Sequence, residues 1–104
     1  MKRAEFDTRL DDSDTLKYQT QKGLVSKNFG IHKTLDGDYN ITHLNTGELT
    51  FSFDKQKDAK VCVSLMEEIN KEQSLGFETL TKENMTDKQK DAMFDCYYKV
   101  KGIN

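Results

Sequence analysis

The chain has 104 residues, which is enough for one domain with a single modest core. Hydrophobic residues make up 35% of it and charged residues 33%, a balance that predicts a heavily solvated surface and argues against a large enclosed catalytic cavity. No apolar run approaches the roughly 18 residues that a membrane span needs, and the first three residues are not followed by an apolar signal segment. We therefore expect one cytoplasmic, soluble domain over residues 1–104.

The net charge of −2 conceals a blockwise arrangement of charges. Residues 22–33 carry three lysines and no acid, whereas residues 34–54 carry four acids and no lysine or arginine. Such blocks are commonly no more than solvated faces. They are also typical of a surface that meets a partner of opposite charge, because complementary fields speed encounter.

The N-terminal element, residues 1–21, has an ambiguous pattern. Its apolar residues Ala4, Phe6 and Leu10 fit either a short helix or a strand. The acidic run Asp11–Asp14 is typical of a turn or of a helix N-cap. The sequence leaves the structure of this element open.

Residues 24–53 have the alternation of a three-stranded antiparallel meander. The dipeptide Asp36-Gly37 and the tripeptide Asn45–Gly47 supply the two turns. Every second side chain is apolar, so one face of the sheet should be buried, while Thr42, Thr50 and Ser52 would line the other. The expected buried face consists of Phe29, Ile31, Tyr39, Ile41, His43, Leu49, Phe51 and Phe53.

A helix over residues 55–71 should cover that apolar face. Asp54 precedes it and can accept hydrogen bonds from the free amides of the first turn. Gly76 ends or interrupts the helical pattern, and Phe77 and Leu80 are expected to cover an open edge of the core. The apolar stripe of the helix recurs at spacings of three and four and comprises Ala59, Cys62, Leu65, Met66 and Ile69.

A C-terminal helix over residues 86–101 is signalled more strongly. Thr86 and Gln89 have capping-box spacing, and Gly102 stands where a helix commonly closes. Its stripe is Met93, Cys96, Tyr97 and Val100. The predicted fold class is therefore α+β, with a three-stranded meander packed against a helix, a second helix and an undetermined N-terminal element.

Groups that could perform catalysis are scarce. His32 and His43 should lie on opposite faces of the meander, which argues against a shared metal site. Cys62 and Cys96 fall within the apolar stripes of the two helices, where buried thiols or an interhelix disulfide are the alternatives. The sequence contains neither a nucleophile motif nor a phosphate loop. We expect a non-enzymatic protein without a metal or cofactor.

The four residues Lys57-Asp58-Ala59-Lys60 resemble the KxAK sequence that opens the last helix of the double-stranded-RNA-binding domain family. Three strands followed by a helix also resemble the DNA-reading domain of some transposon integrases. The resemblance implies phosphate contacts by Lys55, Lys57 and Lys60. The loop Asp36-Gly37-Asp38 carries two acids that would repel phosphate, so direct nucleic-acid binding is the alternative interpretation.

The leading interpretation is a protein that binds a protein. Small, proline-free, charge-rich chains of this kind resemble accessory proteins of phages, plasmids and conjugative elements, and among them anti-CRISPR inhibitors of Cas9-type effectors. This resemblance implies an inhibitor of a host nuclease or of its nucleoprotein complex. The acidic face of the meander favours a partner with a basic surface, and the exposed edge of the three-stranded sheet allows a homodimer as well as a monomer. The expected contact residues are the acids Asp36, Asp38, Glu48 and Asp54, with Asp11–Asp14 as further candidates.

Overall fold

The computed structural model describes residues 1–10 and 17–102. This part of the chain forms one five-stranded antiparallel sheet, with strand order β1-β2-β3-β4-β5, and two helices. The α+β class is confirmed, but the prediction of a three-stranded sheet is wrong because the N-terminal element adds two strands. The elements are β1 (Lys2–Leu10), β2 (Lys17–Val25), β3 (Phe29–Lys33), β4 (Tyr39–His43), β5 (Glu48–Phe53), α1 (Gln56–Gln73) and α2 (Asp87–Lys101).

The meander β3–β4–β5 has the predicted order and turns. Ile31 pairs with Ile41, and Ile41 pairs with Phe51, so three apolar side chains stand side by side on one face. Gly37 and Gly47 adopt φ angles of +90° and +74° in the two turns, a conformation that glycine accepts without steric cost. Local signals were therefore sufficient to predict this part of the sheet.

A β-bulge changes the alternation of β5. Ile41 pairs with Phe51 but Thr42 pairs with Leu49, which leaves Thr50 as the extra residue. The Thr50 hydroxyl donates to the Ile41 carbonyl oxygen at 2.9 Å. Leu49 lies at the bulge, where the regular alternation of β5 is interrupted, and it is 58% exposed. The assignment of Leu49 to the core is wrong for this reason.

The N-terminal hairpin explains the two additional strands. β1 and β2 pair over nine residues each, from Lys2 opposite Val25 to Leu10 opposite Lys17. Both strands are largely polar on both faces, so neither shows the apolar alternation by which β3, β4 and β5 were predicted. The hairpin joins the meander through two residue pairs of β2 and β3, Leu24 with Ile31 and Val25 with Gly30.

The hairpin also folds across the face of the meander that points away from the helices. Phe6 of β1 is buried over Gly30, where a Cβ added to the glycine would lie 2.8 Å from the Phe6 Cζ atom. At the far end, the Arg9 backbone amide donates to the Gly47 carbonyl oxygen at 2.7 Å. The first and last strands thus touch, and the sheet is strongly curved. The expectation of a solvent-facing outer surface at Thr42 is wrong, since this residue is 1% exposed.

The main core lies between the meander and the two helices. α1 starts one residue later than predicted, after Lys55, and the Asp54 cap is wrong because Lys55 occupies the N-cap position without a side-chain bond. Ser74, in the left-handed conformation, closes α1. The buried cluster contains Phe29, Ile31, Ile41, Phe51, Phe53, Ala59, Cys62, Val63, Met66, Leu75, Phe77, Leu80, Ala92, Met93 and Cys96.

α2 confirms the predicted start and end of the C-terminal helix. The Thr86 hydroxyl accepts from the Gln89 amide, and the Gln89 side chain accepts from the Thr86 amide, which completes the capping box. Gly102 closes the helix with a φ of +75°. Within the described residues, neither helix combines the length and the apolar character needed to cross a membrane.

Candidate partner-binding surface

The four acids expected to form one contact surface lie at two ends of the sheet. Asp36 and Asp38 are in the turn between β3 and β4, and Asp54 follows β5 at the same end because Tyr39 pairs with Phe53. Glu48 lies at the opposite end of β5, paired in register with His43. The structure therefore brings three of the acids to one end and separates the fourth.

Glu48 is also compensated electrostatically. Its Oε1 atom accepts from the Arg9 Nη1 atom at 2.7 Å, across the contact between the hairpin and the turn before β5. Each side chain is about one third exposed, at 36% for Glu48 and 33% for Arg9. This ion pair helps hold the curved sheet, so Glu48 does not offer an uncompensated charge to a basic partner.

The acidic run Asp11–Asp14 lies outside the described residues. Arg9 and Tyr18, which are described on the two sides of this gap, both approach the turn before β5. Arg9 bonds to Gly47, and the Tyr18 ring lies close enough that a Cβ on Gly47 would meet it at 3.0 Å.

The three candidate phosphate-binding lysines surround the start of α1. Lys55, Lys57 and Lys60 are all exposed. Lys57 and Lys60 are three residues apart and so share one face of the helix. Asp54 and Asp58 stand close to them in sequence, which makes the local charge mixed rather than uniformly basic.

Four exposed apolar side chains gather beside β5 and α2. Leu49, Met85 and Phe94 border one groove of about 240 Å³ and are 58%, 42% and 37% exposed. Tyr98 stacks on Phe94 with 5.9 Å between ring centroids. Exposed apolar clusters of this kind commonly mark interaction sites. We call this surface the β5–α2 face, and define it by Leu49, Met85, Phe94 and Tyr98 together with the groove-lining lysines Lys82 and Lys90.

Helical spacing produces the α2 side of this face. Lys90, Phe94 and Tyr98 follow one another at intervals of four residues, which aligns them along the helix. Asp91 and Asp95 are each displaced by one position, which is about 100° around the helix axis. Asp91 and Asp95 therefore lie further from β5 than the lysine and the two aromatic residues.

A cluster of aromatic rings supports the face from below. Phe51 stacks on Tyr97 with 4.6 Å between centroids and meets Phe94 edge-on at 5.5 Å. Lys101 places its ammonium 5.3 Å from the centroid of Phe53, a cation–π geometry. These contacts fix the exposed rings in position, so a partner would lose little conformational entropy in meeting them.

His43 is a structural residue under the groove rather than a reactive one. It is buried and lies on the helix side of the meander, against the Phe29 ring. Its Nε2 atom donates to the Phe77 carbonyl oxygen at 2.7 Å, so Nδ1 accepts from the Thr46 hydroxyl at 3.0 Å. The prediction of a histidine at the edge of the core is confirmed, and both ring nitrogens have hydrogen-bond partners.

His32 lies on the opposite face of the meander, as predicted, but it is not a solvent residue. The Phe6 ring stands edge-on to it with 6.0 Å between centroids. Its Nδ1 atom is buried, and no hydrogen-bond partner occurs for it among the described residues. Burial lowers the pKa of His32, because the hairpin excludes water that would solvate the charged ring.

The two cysteines are buried free thiols on the facing sides of α1 and α2. Burial raises the pKa of Cys62 to about 12, and the neighbouring Cys96 adds to this shift. Burial likewise raises the pKa of Cys96. Since the thiolate is the nucleophilic form, both residues are unreactive in this environment.

A wider polar cleft lies beside the start of β3 and the end of α1. Here Glu67 accepts from the Asn28 backbone amide at 2.7 Å and from its side chain at 2.6 Å. Asn70 accepts from the Phe77 amide at 3.0 Å and donates to Glu78 at 2.7 Å. These bonds tie loops to α1, so Glu67, Asn70 and Glu78 already have structural partners.

The chain matches no family model, no curated protein and no solved structure. Within the described residues, no group of three or more histidine, cysteine, aspartate or glutamate side chains is placed to hold a metal ion.

Sequence reasoning missed the β5–α2 face because it assigned Leu49 to the core and did not use Phe94 or Tyr98. The spacing of these two aromatic residues was the available signal. Neither residue belongs to the predicted apolar stripe of α2, which begins at Met93. Together they make the apolar surface of the helix wider than one sheet face can cover.

Proposed function

We propose that this chain is a non-enzymatic binding protein that recognises a partner protein through the β5–α2 face. The observation that supports this proposal is the group of exposed apolar side chains around one groove, with rings fixed by stacking and lysines at its rim. Interfaces owe most of their affinity to such preorganised aromatic and apolar anchors.

The proposed partner is a nuclease of the host or its nucleoprotein complex, and the chain would act in the cytoplasm as an inhibitor carried by a mobile genetic element. The size, composition and charge pattern that resemble anti-CRISPR proteins support this part of the proposal. Asp36, Asp38 and Asp54 serve as secondary contacts with a basic region of that partner. Glu48 is excluded from this role by its ion pair with Arg9.

The test combines co-purification with an activity assay. The tagged chain is incubated with the guide-loaded Cas9-type effector of its host, and DNA cleavage by the recovered complex is measured. We expect capture and inhibition. Replacing Phe94 and Tyr98 together by serine should weaken capture by about tenfold or more, because two anchor rings are lost.

The matched control is Val61→Ser, which alters an apolar side chain on α1 that is 45% exposed. It should leave capture unchanged. Circular dichroism must show that both variants are folded; if the double variant is not, Leu49→Ser tests the same face at a more exposed position. Undiminished capture by a folded face variant would contradict the β5–α2 assignment, and absence of inhibition would contradict the anti-CRISPR type of function.

The second candidate function is binding of double-stranded nucleic acid by the start of α1. The exposure of Lys55, Lys57 and Lys60, with two of them on one helix face, favours it. A gel shift with duplex RNA at low salt distinguishes the candidates. Binding that weakens steeply with added salt would support this second function, and no binding at low salt would remove it.

A further inference from the structure

β5 leaves part of the sheet edge without a neighbour. It is the last strand in the sheet order, and the bonds from Arg9 of β1 reach only Gly47 in the turn before it and Glu48, its first residue. From Thr50 to Phe53, β5 pairs with β4 alone within the described part of the chain. Unpaired backbone groups on an edge strand are a template for a further strand.

The groove of the β5–α2 face runs beside this edge. Residues 48–51 of β5 form one wall, and Met93 and Phe94 of α2 form the other. A segment added to β5 would project every second side chain to one side, since strand residues alternate in direction. An apolar side chain projected toward α2 would enter the groove, whose floor is apolar. This combination of backbone pairing and side-chain pockets is the usual mode of strand addition.

The charges around the groove specify the occupant. Among the described residues that line it, Lys82 and Lys90 are basic and Glu48 is acidic. Because Glu48 is already paired with Arg9, the two lysines are left without a compensating carboxylate in the lining. Because residues two apart in a strand point to the same side, this rim is complemented by carboxylates two residues before and two residues after the inserted apolar residue.

We propose that the β5–α2 face binds an extended, acidic segment of a partner protein, which adds a strand to β5, inserts an apolar side chain into the groove and places carboxylates on Lys82 and Lys90. This inference rests on the proposed function and specifies the partner chemistry of the same face. It differs from the sequence-based expectation of a basic partner, which was derived from the acids at the other end of the sheet.

Two other occupants fit the face less well. A nucleic-acid base needs flat rings on which to stack, whereas much of the groove is formed by the aliphatic and thioether side chains of Leu49, Leu80, Met85 and Met93. A second copy of the chain paired through β5 would bring like-charged rims together, which opposes association at low salt.

The experiment uses the whole chain and three fluorescein-labelled probes. The first is a peptide as long as β5, six residues, with glutamate, leucine and glutamate at its first, third and fifth positions, which share one side of a strand, and threonine at the other positions. The second has lysine in place of each glutamate, and the third is a single-stranded DNA oligonucleotide. We expect anisotropy to show salt-sensitive binding of the acidic peptide only. Amide chemical-shift changes should be concentrated at Thr50–Phe53.

Strand addition can be separated from side-chain docking by a fourth probe. This is the acidic peptide with N-methyl groups on alternate amides, which cannot pair with the backbone of β5 on the methylated side. Two versions are made, one methylated on the odd-numbered amides and one on the even-numbered amides. We expect one version not to bind and the other to bind as tightly as the unmethylated peptide. Equal binding of both methylated peptides would overturn strand addition.

Charge reversal tests the lysine rim. Lys82→Glu and Lys90→Glu should each weaken binding of the acidic peptide by about fivefold or more at low salt. Lys88→Glu is the matched control, since Lys88 is exposed on α2 but is displaced by two positions from Lys90 and therefore faces away from the groove. An equal effect of Lys88→Glu would overturn the rim assignment.

The remaining outcomes are also decisive. Preference for the basic peptide or the oligonucleotide overturns the proposal. A concentration-dependent dimer in light scattering that Leu49→Ser abolishes also overturns it, because the face would then bind a second copy of the chain. If no peptide binds although the Phe94 and Tyr98 variant loses the nuclease, the strand-addition inference fails and the proposed function stands. If neither the peptides nor the nuclease bind, both fail.

Discussion

At Gly23 the backbone of β2 comes so close to β3 that no side chain has room. A Cβ at this position would lie 1.9 Å from the Ile31 carbonyl oxygen. The close approach occurs at the residue before the two pairs that join β2 to β3, where the hairpin turns away from the meander. Glycine is therefore required here by backbone contact and not by an unusual φ angle.

His32 shows how the same fold changes the chemistry of one residue. Its pKa is lowered by burial, so the unfolded chain, in which the pKa of histidine is about 6.5, binds more protons than the folded chain below that pH. The contribution of the neutral ring to stability is complete above about pH 6.5. It is lost as the pH falls from there through the lowered folded pKa.

We predict that His32→Gln reduces the loss of stability on acidification. The measurement is the free energy of urea unfolding for the wild type and the variant between neutral and mildly acidic pH. Only the difference between the two profiles is assigned to His32, since the other titratable groups are the same in both proteins. Parallel profiles would show that burial of His32 has no effect on its protonation.

At the scale of single elements, the two helices differ in how their first turns are satisfied. α2 has a complete capping box at Thr86 and Gln89. α1 follows Lys55, which provides no side-chain bond to its amides. Its stability must therefore come from the packing of its buried stripe on the meander, as is common for helices in small domains.

We predict that Thr86→Ala lowers the free energy of unfolding by about 1 kcal/mol, because the Gln89 amide loses its acceptor and the reciprocal bond is weakened. Chemical denaturation measures the change. Lys55→Ala is the matched control at the other helix and should alter stability by less than about 0.5 kcal/mol, since no side-chain bond is lost. Equal effects at the two caps would contradict this account.

At the scale of the whole molecule, the sheet has a core on both faces. The helices cover one face, and the β1–β2 hairpin covers part of the other through Phe6. The rest of the hairpin is largely polar, although Leu24 of β2 packs against the main core. The hairpin is attached through the two residue pairs to β3 and through the bonds from Arg9 to Gly47 and Glu48. Phe6 is thus the principal apolar anchor of this second layer.

We predict that Phe6→Ala destabilises the protein by about 3 kcal/mol, the cost expected for removing a buried ring. Amide hydrogen exchange should show the greatest loss of protection in β1 and β2, because the hairpin depends on this contact. Leu35→Ala is the control, since Leu35 is fully exposed at 108% and should change stability little. Uniform loss of protection across α1 and α2 would show that the hairpin is not a separate layer.

The sequence alone determined the elements whose signals are local. The capping box and Gly102 defined α2, and the glycines of two turns defined the meander, because each of these motifs satisfies its own backbone groups within a few residues. The α+β class followed from the apolar alternation of residues 24–53 and the stripes of the helices that follow.

Only the tertiary structure decided which surfaces remain exposed. Leu49 is exposed beside the bulge at Thr50, the hairpin partly buries His32, and Glu48 is paired with Arg9, which lies 39 residues away in sequence. These outcomes depend on contacts between segments that are distant in sequence, and local sequence patterns do not predict such contacts. The candidate site changed accordingly, from an acidic surface inferred from spacing to an apolar, lysine-rimmed face formed where β5 meets α2.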